Sequence, residues 1–369
     1  MDGAFWAKQR VLVTGHTGFK GAWLSLWLRQ LGAEVIGFSL PPLTEPSLFD
    51  LAGMGDGSHA HPDPNYQSHF GSITDAQAVD ALVSESQPTI IIHLAAQALV
   101  RASYDNPADT FATNVVGTAN VLNAARSVAG LRAFVSVTSD KCYENQEWDW
   151  GYRESEPMGG HDPYSASKGC AELVTAAMRS SYFEQTGTVG IGTARAGNVI
   201  GGGDWAQDRL IPDIVRAFSV DEEVVIRRPD AVRPWQHVLE PLSGYLLLAE
   251  KLAHGEAAEG WNFGPAEADA RPVNWIVERM AERWGNNASW RVESDGPHEA
   301  TMLKLDCSKA RNRLHWRPRL DLETTIDWLI DWYKAQLAGA DMRAFTQDQI
   351  AAYSALPGLG DRAINAGRA

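Results

Sequence analysis

Thr14-Gly15-His16-Thr17-Gly18-Phe19-Lys20-Gly21 follows the apolar run 11–13 and precedes a segment, 19–31, with apolar residues at helical spacing. Gly15, Gly18 and Gly21 form a G-x-x-G-x-x-G pattern. Such a turn needs one small residue to reverse the chain, one to admit a diphosphate to the backbone, and one to pack helix on strand. The first helical turn then offers free N–H groups and a partial positive charge. Alone the pattern is weak. With a strand before it and an amphipathic helix behind it, it predicts a dinucleotide-binding βα unit.

Working outward, segments 11–14, 35–38, 90–94 and 133–138 are short, apolar and β-branched, and residues 106–125 have helical periodicity. Apolar strands alternating with helices are the pattern of parallel strands buried on both faces. The expected fold class is therefore α/β, a Rossmann doubly wound parallel sheet. Beyond about Gly197 the regularity weakens, with helices expected at 212–218, 239–253, 273–284 and 322–337. This predicts a first domain over 1–197, a smaller C-terminal lobe over 198–337 with some crossing of the chain between them, and a loosely attached tail over 338–369. A dinucleotide site usually carries an acid at the end of the second strand to hold the adenosine ribose. Here that place reads Phe38-Ser39-Leu40-Pro41, with neither acid nor arginine, so these residues do not choose between NAD and NADP.

The 369 residues are 44% hydrophobic and carry a formal net charge of −14, with no basic cluster against that background. Nucleic acid and anionic membrane surfaces are therefore excluded as partners, and a polyanionic substrate requires a local basic pocket. Cys142, Cys170 and Cys307 are too few and too scattered for a disulfide framework or a metal site, and they fit a reducing compartment. No apolar stretch long enough to span a bilayer occurs, nor a secretory signal pattern before the first strand, so a cytoplasmic protein is expected.

Tyr164 and Lys168 stand four residues apart ahead of a helical segment, 170–184, which places them on one helix face. An ammonium beside a phenol lowers its pKa, so the tyrosinate can take a hydroxyl proton while hydride leaves the same carbon. Thr138-Ser139-Asp140-Lys141 ends the strand between these two motifs. There the Ser139 hydroxyl can bond the same substrate oxygen.

The glycine turn, the Tyr-x-x-x-Lys pair and His93-Leu94-Ala95-Ala96-Gln97 resemble the extended short-chain dehydrogenase/reductases, sugar-nucleotide epimerases and dehydratases, over residues 8–335. The resemblance implies a tightly held NAD, touched by Gly15, His16, Thr17, Gly18, Phe19, Lys20, Gly21, Ser39, Ser72, Ile73, Leu94, Ala95, Ala96, Asn114, Thr138, Tyr164 and Lys168. Where many relatives have an acid beside the adenine, this chain has Ser72. It further implies that Asp140 marks a dehydratase rather than an epimerase. Lys141 stands where many 4,6-dehydratases have a glutamate base. Together with the glycine turn and Arg233-Pro234-Trp235-Gln236-His237-Val238, the Asp140-Lys141 pair is similar to the branch acting on CDP-linked glucose. Catalytic roles are expected for Ser139, Asp140, Lys141, Tyr164 and Lys168. A nucleotide-sugar partner is expected at Gln97, Arg101, Ser103, Asn198, Arg209, Leu210, Ile211, Arg233 and His237, the last equally readable as a structural histidine. Asp75 is expected to cap a helix. A homodimer built from paired helices, one carrying Tyr164, is implied, with a tetramer as the alternative. A 4,6-dehydratase of another sugar nucleotide, a 4-epimerase and a non-catalytic dinucleotide-binding regulator remain rival functions.

Overall fold

The computed structural model describes residues 1–55, 63–185, 187–285, 288–293 and 302–359. Seven strands make one sheet: β1 (Arg10–Thr14), β2 (Glu34–Ser39), β3 (Tyr66–Phe70), β4 (Ile90–His93), β5 (Ala133–Val137), β6 (Gly190–Arg195) and β7 (Gly260–Asn262). Their order across the sheet is β7-β6-β5-β4-β1-β2-β3, and every neighbouring pair is parallel. Successive strand residues feed opposite faces, because side chains alternate along a strand. Val11, Val13, Ile90, Ile92 and Val135 join one core, whereas Leu12, Ile91, Phe134 and Ile191 join the other.

The first core is closed by α1 (Phe19–Gln30), through Trp23 and Trp27, and by α3 (Leu239–Ala253), through Leu242, Tyr245 and Leu248. Helix Ala76–Ser86, capped by Asp75 as expected, and the segment around Val121 and Leu122 close the second. The catalytic motif rides on α2 (Pro163–Met178), with Asp162 as N-cap and Pro163 in the first turn, where its missing N–H is harmless.

The elements depart from the sequence pattern in four places. The helix expected over 106–125 is Pro107–Phe111 and Thr118–Ala125 joined by a π-helical turn, Ala112–Gly117. The helix expected over 170–184 starts seven residues earlier and ends in a π turn, Arg179–Phe183. Residues 260–262, beyond the regular first half, return to pair with β6 as the sheet's edge strand. The segment from 338 is no loose tail: α5 (Met342–Ala355) follows α4 (Leu322–Leu337) and packs back on α1. Met342, Thr346, Ile350 and Tyr353 form its buried stripe, and the Tyr353 hydroxyl donates to Glu240 Oε2 at 2.7 Å. Residues 360–369 of the expected tail lie outside the described residues.

Candidate active site

The glycine turn connects β1 to α1, and its small residues are demanded by contact. A Cβ on Gly21 would stand 2.0 Å from Gly15 O, and one on Gly15 would meet Ala95 N at 2.7 Å, with Gly15 already at φ +78°. Gly18, the α1 N-cap, is exposed, and a Cβ there would meet only Gly15 O at 3.4 Å. A cradle with closed walls and one open rim at a helix N-terminus fits a dinucleotide diphosphate. Thr17 Oγ1 donates to Leu40 O (2.9 Å) and lies within hydrogen-bond distance of Ser39 Oγ (3.0 Å), tying the turn to the end of β2, where the ribose acid is missing. Lys20 and Phe19 are half-buried.

His16 leaves the cradle. Its ring is buried against Phe49 and Phe70, fills the space a Cβ on Gly37 would need, and shares a 2.7 Å hydrogen bond between Nε2 and Ser68 Oγ. Burial first of all pulls its pKa down to about 4, so it is neutral.

On the far side of the cradle, β4 is followed by Leu94, Ala95 and Ala96, and the Ala95 N–H donates to Thr14 Oγ1 at 3.2 Å. Asn114 and Gln97 lock this loop. Gln97 N donates to Asn114 Oδ1 (2.8 Å), and Asn114 Nδ2 donates to Gln97 O (3.0 Å) and Ser167 Oγ (2.8 Å). The Gln97 side chain serves Leu99 and Thr110. Both residues therefore act as braces, since their amides are already taken. Ser103 is a brace too: its buried hydroxyl donates to Val100 O and accepts the Tyr164 N–H at 3.2 Å, holding the start of α2. Ile73 is buried against Gly117, and Ser72 Oγ bonds Thr74.

Tyr164, Lys168, Ser139 and Asp140 do converge. All four are buried, Ser139 Oγ donates to Asp140 Oδ1 at 3.0 Å, and the Ser139 hydroxyl is close enough to the Tyr164 phenol to ease its ionisation. Burial pushes the Tyr164 phenol up to about 12, opposed by Ser139 and Arg209 and reinforced by Asp140. Lys168 Nζ lies 3.4 Å from Val137 O, and desolvation lowers its pKa to about 8, with Glu172 among the charges that oppose the fall. Lys141 is half-buried and its N–H donates to Ser139 Oγ at 3.2 Å.

Desolvation likewise brings Lys20 down to about 8, helped by Arg209 and Lys168 and resisted by Asp140 and Asp204. Lys20 thus feels the charges of both Arg209 and Lys168, a local basic pocket within an acidic chain. Arg209, before helix Leu210–Ser219, bonds Asp204 at 2.9 Å; Leu210 is half-buried and Ile211 buried. Arg101 is paired at 2.9 Å with exposed Asp208. Asn198 holds φ +45° and its buried Nδ2 has no partner, which suits a ligand oxygen. Arg233 lies in the strand Val232–Pro234, and its Nη1 donates to Val232 O.

His237 belongs to the core. Its ring is fully buried between Trp23 and Trp328, Nδ1 accepts the Leu239 N–H, and burial lowers its pKa to about 3. Its Nε2 is buried with no partner, so the packing supports the structural reading while one ring nitrogen is left over.

Three features were missed in the sequence. Glu172 and Arg195, each 5% exposed, form a two-pronged pair, Nε–Oε1 at 2.9 Å and Nη2–Oε2 at 2.8 Å. Thr138 Oγ1 donates to Glu172 at 2.5 Å, so the pair grips the strand end carrying Ser139. Glu172 continues the four-residue spacing of Tyr164 and Lys168, a signal that was legible. Tyr245, from α3, is fully buried with an unpartnered hydroxyl, and desolvation, Tyr164 and Asp140 all push its phenol up. Gln236, 2% exposed, donates through Nε2 to Gly197 O and Phe263 O.

The profile of the family described as GDP-mannose 4,6 dehydratase matches residues 12–328. The chain is 51% identical over 361 residues to the CDP-glucose 4,6-dehydratase of Salmonella typhimurium, covering 96% of this chain and 98% of that one. The dTDP-glucose 4,6-dehydratase of Streptomyces antibioticus is 28% identical over 88% of this chain and 92% of its own. Among solved structures, the dTDP-glucose 4,6-dehydratase of Bacillus anthracis str. Ames in complex with NAD superposes with a TM-score of 0.74 at 21% identity. It covers 90% of this chain and 99% of that one, a likeness of fold. With a dinucleotide cradle, a Tyr-Lys helix and a Ser-Asp strand end meeting at one basic pocket, the chain belongs to the GDP-mannose 4,6 dehydratase family within the extended short-chain dehydrogenase/reductases.

Proposed function

We propose that the chain is a CDP-glucose 4,6-dehydratase, converting CDP-D-glucose into CDP-4-keto-6-deoxy-D-glucose with NAD as its resident cofactor. The observation that carries this is the buried cluster of Tyr164, Lys168, Ser139 and Asp140 in a chain 51% identical to the Salmonella typhimurium CDP-glucose 4,6-dehydratase. The glycine turn, Ser39 and Leu94–Ala96 would hold the cofactor, which supplies a hydride acceptor for carbon 4 and returns the hydride to carbon 6. Tyr164 takes the proton of the 4-hydroxyl. Lys168 supplies the positive field that brings its phenol down from the value set by burial, and Ser139 orients the hydroxyl. Lys141 takes the proton from carbon 5, acidified by the 4-ketone. Asp140 protonates the leaving 6-hydroxyl, so one site carries an acid and a base of opposed demand. Asn198, Arg209 and Arg233 are assigned to the diphosphate, for which guanidinium geometry is apt, with Leu210 and Ile211 near the base.

The proposed assembly is a cytoplasmic homodimer. Exposed Tyr104, Phe111, Val116, Leu173 and Tyr182 lie on the helical segments packed beside α2 and on α2 itself. All three cysteines are free, and no described helix is long and apolar enough to cross a membrane.

Incubation with CDP-glucose and NAD should generate the alkali-induced absorbance of a 4-keto-6-deoxy sugar, with dTDP-, UDP- and GDP-sugars giving none. Turnover of dTDP-glucose or GDP-mannose alone would keep the chemistry and refute the CDP assignment.

A further inference from the structure

The site's acid has its position set by a residue outside the reacting groups. A Cβ built on Gly197 would lie 1.7 Å from Asp140 Oδ2 and 2.1 Å from its Cγ. The carboxylate therefore occupies the volume a side chain at 197 would take. Asp140 has little room to retreat, being 3% exposed, with Oδ1 already accepting from Ser139 Oγ.

The backbone opposite cannot give way either. Gln236 Nε2 donates to Gly197 O at 3.2 Å and to Phe263 O at 3.0 Å, while its own N–H donates to Asn198 O at 3.2 Å. Gln236 is 2% exposed and sits in a strand, Gln236–His237, paired with Val199–Ile200. Two bonds thus pin consecutive peptide units, 197 and 198, from behind. Because Asn198 follows at φ +45°, the same pin holds the amide assigned to the diphosphate.

We propose that Gly197, clamped by Gln236, is a positioning residue that keeps the Asp140 carboxyl where water elimination needs it and has no part in the oxidation at carbon 4. This rests on the dehydratase reading above. In the elimination step the C5–H proton goes to Lys141 and a C5–C6 double bond forms. The C6–O bond breaks, and the oxygen takes the proton of Asp140 and departs as water. Displacing the carboxyl should stop this step and leave the earlier proton transfer to Tyr164 intact.

The experiment is a double-mutant cycle of Gly197→Ala and Asp140→Ala in the holoenzyme, read by product formation, by single-turnover reduction of the cofactor, and by melting temperature. Gly197→Ala is expected to lower formation of the 4-keto-6-deoxy product about 10²- to 10⁴-fold, the span of a lost general acid. Cofactor reduction on adding CDP-glucose should persist. In the Asp140→Ala background the three atoms nearest the added methyl are gone, so it should change melting temperature and residual rate far less than in the parent. Product formation within twofold of the parent, equal loss of cofactor reduction, or the same destabilisation in both backgrounds would overturn the proposal. A parent enzyme without product refutes the dehydratase reading instead, and the melting cycle still decides whether Gly197 and Asp140 are coupled.

Discussion

Replacing Arg195 by methionine tests the buried pair beneath the site. Both partners are 5% exposed, and Glu172 Oε1 and Oε2 accept from Arg195 at 2.9 and 2.8 Å, so the substitution strands a carboxylate in the core. Thr138 and Thr193 remain, at 2.5 and 2.7 Å, but two hydroxyls do not neutralise a charge. Breaking a buried pair from one side costs about 3–5 kcal/mol, a large part of a net stability of about 5–15 kcal/mol. Replacing both partners by methionine should recover much of the loss. What remains is a deficit of about 1 kcal/mol for each orphaned hydroxyl. Burial opposes ionisation of Glu172, but Arg195 and the two threonines overcome it and hold the carboxyl below its ordinary value. A depressed carboxylate contributes stability above its unfolded pKa of about 4.3, and that share is lost as pH falls through the folded value. The gap between parent and Arg195→Met should thus be widest near neutrality and narrow on acidification. Urea unfolding followed by tryptophan fluorescence at several pH values measures it. A single variant within about 1 kcal/mol of the parent would refute the reasoning. So would a double variant no better than the single.

Tyr164→Phe should keep the fold and lower turnover about 10²- to 10⁴-fold; unlike Gly197→Ala, it should also abolish cofactor reduction in a single turnover. Lys168→Met removes the cation proposed to aid a phenol that burial pushes up to about 12 and Arg209 opposes, so the acid limb of the pH–rate profile should move to higher pH; an unmoved limb would exclude Lys168 from that role. Glu240, on α3, accepts from Tyr353 and from the N–H groups of Arg319 and Leu320, yet burial raises it to about 7. A raised carboxyl binds its proton more tightly folded than unfolded, so its contribution to stability falls as pH climbs from about 4.3 to about 7. Glu240→Gln should flatten the melting-temperature profile across that window, and an unchanged slope would show that Glu240 does not titrate there.

Much of the fold is local physics and was open to inspection. The runs at β1, β2, β4 and β5 are short and apolar because both faces of a parallel sheet are covered, and Gly15, Gly18 and Gly21 mark the turn whatever lies around it. Tyr164, Lys168 and Glu172 share a helix face by their spacing alone, although only the first two were recognised. Tertiary structure decided the rest, because it depends on partners far along the chain. Gly260–Asn262 is too short for its pattern to announce a strand, and only the waiting edge of β6 makes it one. Met342, Ile350 and Tyr353 lie in a segment whose pattern reads as a tail, and only α1 and Glu240 bury them as one helix face. His16, Gln97, Asn114 and His237 are polar residues in suggestive motifs, and composition cannot say whether a ligand or the protein takes their hydrogen bonds. Folding gave most of them to Ser68, to each other and to the Leu239 N–H, leaving His16 Nδ1 and His237 Nε2 over. Gly197 is the sharpest case: as a letter it is one glycine among many, and only the packed Asp140 carboxylate shows why no larger residue fits.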